Sequence, residues 1–161
     1  MKGLAALAAT AAVVLAVASG ASSAPSQQSA NGNGNIGTST FSFSARGVGF
    51  GADGHITSTN PNTDPNSVIK GRINCLMIIN NQAYMSGNIV SQTPTPNPAT
   101  RVTDFVAYAE DNGEPGDFRD RFQFVSFTAG TITPMPTCLN PVFFLTGQLV
   151  TSGNIDVNPV P

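Results

Sequence analysis

Apolar and polar positions alternate in short runs along this chain, and the clearest pair of runs lies at residues 71–90, GRINCLMIINNQAYMSGNIV. Two β-prone stretches, residues 73–79 and 83–90, flank an Asn-Asn-Gln corner, and Asn tolerates the left-handed backbone of a tight turn. A three-residue corner, Asn80 to Gln82, sets Ile79 opposite Ala83, Met77 opposite Met85, Cys75 opposite Gly87 and Ile73 opposite Ile89. That register makes one continuous apolar face. A two-residue corner would set Met77 against Tyr84 and Cys75 against Ser86, mixing polar and apolar residues. The pattern therefore predicts the three-residue corner, with Cys75 facing inward and Gly87 leaving room for a bridge to Cys138.

Other segments carry the same period of two. Phe41 and Phe43 alternate with Ser42 and Ser44, which predicts a half-buried strand starting near Thr40. Residues 55–59 form a short strand candidate after a run of glycines. Residues 101–109 alternate without a purely apolar face, and residues 121–127 place Phe122 and Phe124 on one side. Residues 142–151, VFFLTGQLVT, predict a closing strand. Between these lie loops by composition: residues 60–66 with two prolines, residues 91–100 with prolines at alternate positions, and residues 131–141 around Cys138. No segment shows helical periodicity with caps. The expectation is an all-β, single-domain sandwich or barrel of antiparallel strands over residues 40–155, with one disulfide.

The two ends read differently. Lys2, the apolar run of residues 4–18 and the small residues after it have the three-part layout of a secretory signal peptide, with cleavage after Ala21. The run is short for a membrane span of about 20 residues, so no span is expected in the mature protein. Residues 22–39 have almost no apolar side chains and predict a disordered leader. Residues 156–161 read as a C-terminal tail. The expected location is outside the cell, secreted or at its surface.

Composition narrows the chemistry. Removing Lys2 leaves six basic residues against nine acidic ones, and no basic cluster of the kind that binds nucleic acid. Charged residues are 10% of the chain, against about a quarter in ordinary domains, which points to a hydroxyl- and amide-rich surface. In an exported chain, two cysteines predict one Cys75–Cys138 disulfide. The lack of a CxxC spacing and the single histidine, His55, argue against the two cysteines as ligands of a metal site. No GxSxG accompanies His55 and its neighbour Asp53, and no glycine-rich loop opens a helix to hold phosphate.

The densest chemistry lies at residues 110–121, EDNGEPGDFRDR, with five of the nine acids. Asp111, Glu114, Asp117 and Asp120 are the oxygen donors a weak calcium site would draw on, although the spacing misses the EF-hand loop. The plainer expectation is a solvated connection whose Arg119 and Arg121 pair with neighbouring acids, and no bound cofactor. A glycosidase-type acid pair drawn from Glu110, Glu114 and Asp117 would need a buried carboxyl in a cleft, which a turn-rich loop does not offer.

Gly71 with Cys75, Asp111 to Gly116, Asp120-Arg121-Phe122 and Cys138 together resemble small domains of secreted bacterial proteins. The likeness covers residues 67–155. It implies an exported β-domain with a cysteine pair and brings no activity or catalytic residues with it. The functional expectation is an exported, non-catalytic domain for binding or surface structure. The alternative is a small secreted hydrolase or lyase using acids of the 110–120 loop.

Overall fold

The computed structural model describes residues 27–59, 67–113, 119–128, 137–140 and 147–159. They form nine strands in one antiparallel sheet: β1 (Ser29–Ile36), β2 (Ser39–Arg46), β3 (Asp53–Thr59), β4 (Val68–Ile79), β5 (Gln82–Thr93), β6 (Val102–Glu110), β7 (Arg121–Thr128), β8 (Gln148–Leu149) and β9 (Ser152–Asn158). The order is β8-β7-β6-β5-β4-β3-β2-β1-β9. The two edge strands, β8 and β9, are consecutive in the chain and joined by Val150 and Thr151 alone. Three Cα steps span at most about 11 Å, whereas nine strands laid flat would measure about 38 Å across. The sheet must therefore curl, and it does so into a half-barrel. Phe41 of β2 and Phe122 of β7 meet across the interior with ring centroids 4.0 Å apart.

The concave face holds the core. Successive inward positions form lateral rows, such as Gly32–Phe43–Ile56–Gly71–Ile89 and Ala30–Ala45–Gly54–Ile73–Gly87–Phe105. Large and small residues complement one another along these rows. A Cβ at Gly71 would sit 2.5 Å from the Phe105 ring, and one at Gly32 would sit 2.6 Å from Phe43. The glycines are there to admit the rings.

The expected all-β antiparallel fold and the Cys75–Cys138 disulfide are both present, the latter with Cα atoms 5.7 Å apart. Four expectations require correction. First, the segment expected to be a disordered leader contains β1, which pairs with both β2 and β9. Its inward Gly32 leaves room for the Phe43 ring, and its inward Gly34 for Ser152, Val150 and the Phe41 ring. Second, the expected tail begins inside β9, whose Ile155 and Val157 are buried core residues.

Third, the hairpin turns at two residues, Asn80 and Asn81, so Met77 lies opposite Tyr84 and Cys75 opposite Ser86. Asn80 takes a positive φ of 56°. Fourth, Cys75 faces away from the main core. A bulge at Asn74 separates the pairs Ile73–Gly87 and Cys75–Ser86, and a bulge switches which residues face inward. Below it Gly71 and Ile73 point inward; above it Leu76 and Ile78 do. Cys75 and Met77 join Tyr84, Tyr108 and Cys138 in a second cluster on the convex face. Both faces are buried here, so the single-face criterion chose the wrong register.

The signal-peptide segment, the 60–66 loop and residues 142–146 of the expected closing strand lie outside the described residues.

Candidate functional site

The acidic loop enters the described structure at both ends, with Glu114 and Asp117 outside it. Asp120 is buried and accepts two backbone hydrogen bonds, from Asn112 N–H at 2.9 Å and from Ile155 N–H at 2.8 Å. Asp111 accepts from Gly113 N–H at 3.3 Å and from Val157 N–H at 3.2 Å. Ile155 and Val157 belong to β9, the edge strand across the opening of the half-barrel. Asp120 also offers its carbonyl to Val150 N–H at 2.9 Å. The two carboxylates thus occupy the seam where a neighbouring strand would otherwise supply carbonyl acceptors.

Asn81 and Asn112 complete this node. The Asn81 amide donates to Asp111 O at 2.6 Å and to Asn112 Oδ1 at 3.0 Å, while Asn112 donates to Arg119 O at 3.1 Å. The turn of the β4–β5 hairpin, the start of the acidic loop and the last strand are therefore tied together. Sequence reasoning placed Asp111 and Asp120 in a solvated connection. Their partners on β9 lie 35 and 46 residues away along the chain, at a distance no local spacing reveals. Among the described residues, no group of three or more His, Cys, Asp or Glu is arranged to hold a metal.

Glu110 faces the convex side. Tyr108 donates to its Oε2 at 2.9 Å, and Arg121 Nε stands 4.0 Å from the same oxygen. Arg121 also donates to Gly147 O at 2.9 Å. Burial first, then the Glu110 carboxylate, holds the Tyr108 hydroxyl well above its ordinary range. Tyr84, 5.5 Å from Tyr108 between ring centroids, is pushed the same way by burial and by Glu110. These tyrosines pack over the disulfide, where Cys138 N–H donates to Ser86 Oγ at 3.1 Å. Ser86, rather than Gly87, is the residue that seats the bridge. His55 is exposed on the convex face, opposite Ser44 and Arg72 on the adjoining strands.

The concave face ends in an open mouth. There the inward positions change from Phe and Ile to Ser: Ser39 follows the alternation of Phe41, Ser58 that of Ile56, and Ser126 that of Phe124. With Ile36, Ile69 and Phe124 these serines line a cavity of about 320 Å³, within the size range of small-molecule sites. Its floor is the parallel Phe41–Phe122 stack. Thr40, Thr59 and Gln148 add hydroxyl and amide groups at the rim. The described lining residues include no Asp, Glu, Lys, Arg or His. This feature was missed at the sequence level, although serine at the inward phase of three separate strands was its signal.

No family model, curated protein or solved structure matches the chain.

Proposed function

We propose that this chain is an exported, non-catalytic binding domain that takes a small uncharged ligand into the mouth of its half-barrel. The cavity carries the reading. An apolar floor with converging hydroxyls, and without an ionisable group among its described residues, suits recognition of a neutral amphiphile and lacks the means for acid–base chemistry. The disulfide and the apolar run of residues 4–18 after Lys2 support export. The hydrolase alternative needs a protonated carboxyl free to meet a substrate. Asp111 and Asp120 instead accept backbone N–H groups on both carboxylate oxygens, so each is already engaged within the fold.

The test uses N-phenyl-1-naphthylamine, an uncharged probe that brightens in apolar surroundings. The expected result is saturable enhancement at one probe per chain. Ser58→Phe or Ser126→Leu, each filling the mouth, should abolish it while the melting midpoint stays close to that of the parent. Absence of saturable enhancement, or enhancement indifferent to both fillings, would contradict the proposal.

A further inference from the structure

We infer that the convex face of β4–β6 carries a second binding site, for an uncharged oligosaccharide, in the trough between Phe50 and Phe127. Three polar side chains on adjacent strands make the floor. Asn74 donates to Asn88 Oδ1 at 2.9 Å, and Asn88 donates to Asp104 Oδ1 at 2.8 Å. Thr103 Oγ1 donates to the other oxygen of Asp104 at 2.6 Å. Each amide uses one N–H in this chain and makes no further hydrogen bond among the described residues, leaving a second N–H on both and the carbonyl of Asn74. The floor is ordered, and it still has donors and acceptors to offer.

Phe50 supplies an independent observation. Phe50 is 67% exposed, yet the turn that carries it is pinned at Gly49. Gly49 N–H donates to Leu76 O at 2.7 Å, and Leu76 N–H donates to Gly49 O at 3.1 Å. A large ring held out in water on a pinned turn adds little to folding, because its apolar surface stays wet. Phe127, opposite Asp104 on β7, lines the far side of the same trough. Thr137, held beside Cys138 by the disulfide, lines it as well. The open trough offers about 190 Å³, room for one sugar ring with the rest of the chain in solvent.

A pyranose presents apolar C–H faces and a rim of hydroxyls, each both donor and acceptor. The faces match the Phe50 and Phe127 rings, and neighbouring hydroxyls match paired amide and carboxylate groups. A lipid headgroup fits less well, since a floor of Asn, Asn and Asp offers no cation to an anionic phosphate. Strand addition by a peptide is not available, because β4, β5 and β6 are all paired on both sides.

The chain contains no tryptophan, so Phe50→Trp installs a single reporter in the trough. The probes are cellotriose, chitotriose, maltotriose and mannotriose. A saturable emission change with at least one of them is expected, weakened tenfold or more by Asn88→Ala and unaffected by Ser58→Phe in the mouth. Asn74→Ala, at an exposed bulge position, carries the same test should Asn88→Ala disturb the near-ultraviolet dichroism. The inference is overturned by silence with all four sugars up to about 10 mM, above the millimolar affinities expected of a shallow site. It is equally overturned by a response that survives the floor substitutions, or by an emission shift on phosphatidylcholine vesicles instead of sugars. Loss of the mouth-probe signal leaves this site standing, since the two cavities share no lining residue among those described.

Discussion

Asp120 is buried and ties the acidic loop to β9 through one carboxylate. Truncation to Ala would strip the acceptors from Asn112 N–H and Ile155 N–H, and each orphaned donor costs about 1–3 kcal/mol. Asp120→Ala should therefore lose about 3 kcal/mol of unfolding free energy by denaturant titration. A loss below about 0.5 kcal/mol, the usual range for a surface substitution, would show that water replaces the carboxylate. Tyr108 gives a pH signature. Its hydroxyl titrates higher folded than unfolded, so the folded state keeps its proton longer. That contribution is intact below about pH 10, the unfolded value, and is lost as pH rises above it. Stability measured across this range should fall, and Tyr108→Phe should flatten the slope. An unchanged slope would mean that other groups set the alkaline limit. Neither role was legible locally: the Asp120 acceptor network and the burial over Tyr108 exist only once β9 and the disulfide segment are in place.

Among the elements, those with a large-residue alternation were readable and those made of small residues were not. Phe41 and Phe43 identify β2, and Phe122 and Phe124 identify β7, because rings at every second position share one face only on an extended strand. β1, SANGNGNI, looks like a linker, since its inward Gly32 and Gly34 leave room for neighbouring side chains. Its order comes from pairing on both sides, which propensity does not report. The β4–β5 hairpin was recognised and its register misjudged, because the Asn74 bulge gives the two halves of β4 different inward phases. The observed corner makes a clear demand: Asn80 sits at φ 56°. Asn80→Gly should be neutral or stabilising, whereas Asn80→Val should cost about 1–2 kcal/mol, the penalty for a branched residue in that region. Equal midpoints for Gly and Val would contradict the two-residue turn.

At the scale of the whole molecule, a curled sheet whose edges meet through two residues has to be fastened along a seam. Two devices fasten the molecule, one on the convex face and one at the seam. The disulfide closes a sequence separation of 63 residues, which restrains the unfolded chain by about 4 kcal/mol in the chain-entropy picture. Reduction should lower the melting midpoint, and intact mass should show two hydrogens fewer before reduction than after. The second device, at the seam, is the carboxylate pair of Asp111 and Asp120, which accept N–H groups of β9. An all-β antiparallel fold was legible from strand alternation and turn spacing, with sandwich and barrel both open; the curl and its seam were not, since the seam joins residues far apart in the chain. Above all, Asp111 and Asp120 of the 110–120 loop are engaged in closing the sheet. Thermal melts of the parent and of Asp120→Asn, with and without calcium at matched ionic strength, test this most directly. The expected result is a lower midpoint for Asp120→Asn and no calcium effect on either protein. A site binding calcium only in the native state would add about 2.7 kcal/mol at one hundred times its dissociation constant. A saturable calcium-dependent rise in the parent, lost in Asp120→Asn, would contradict the role of these acids as a seam.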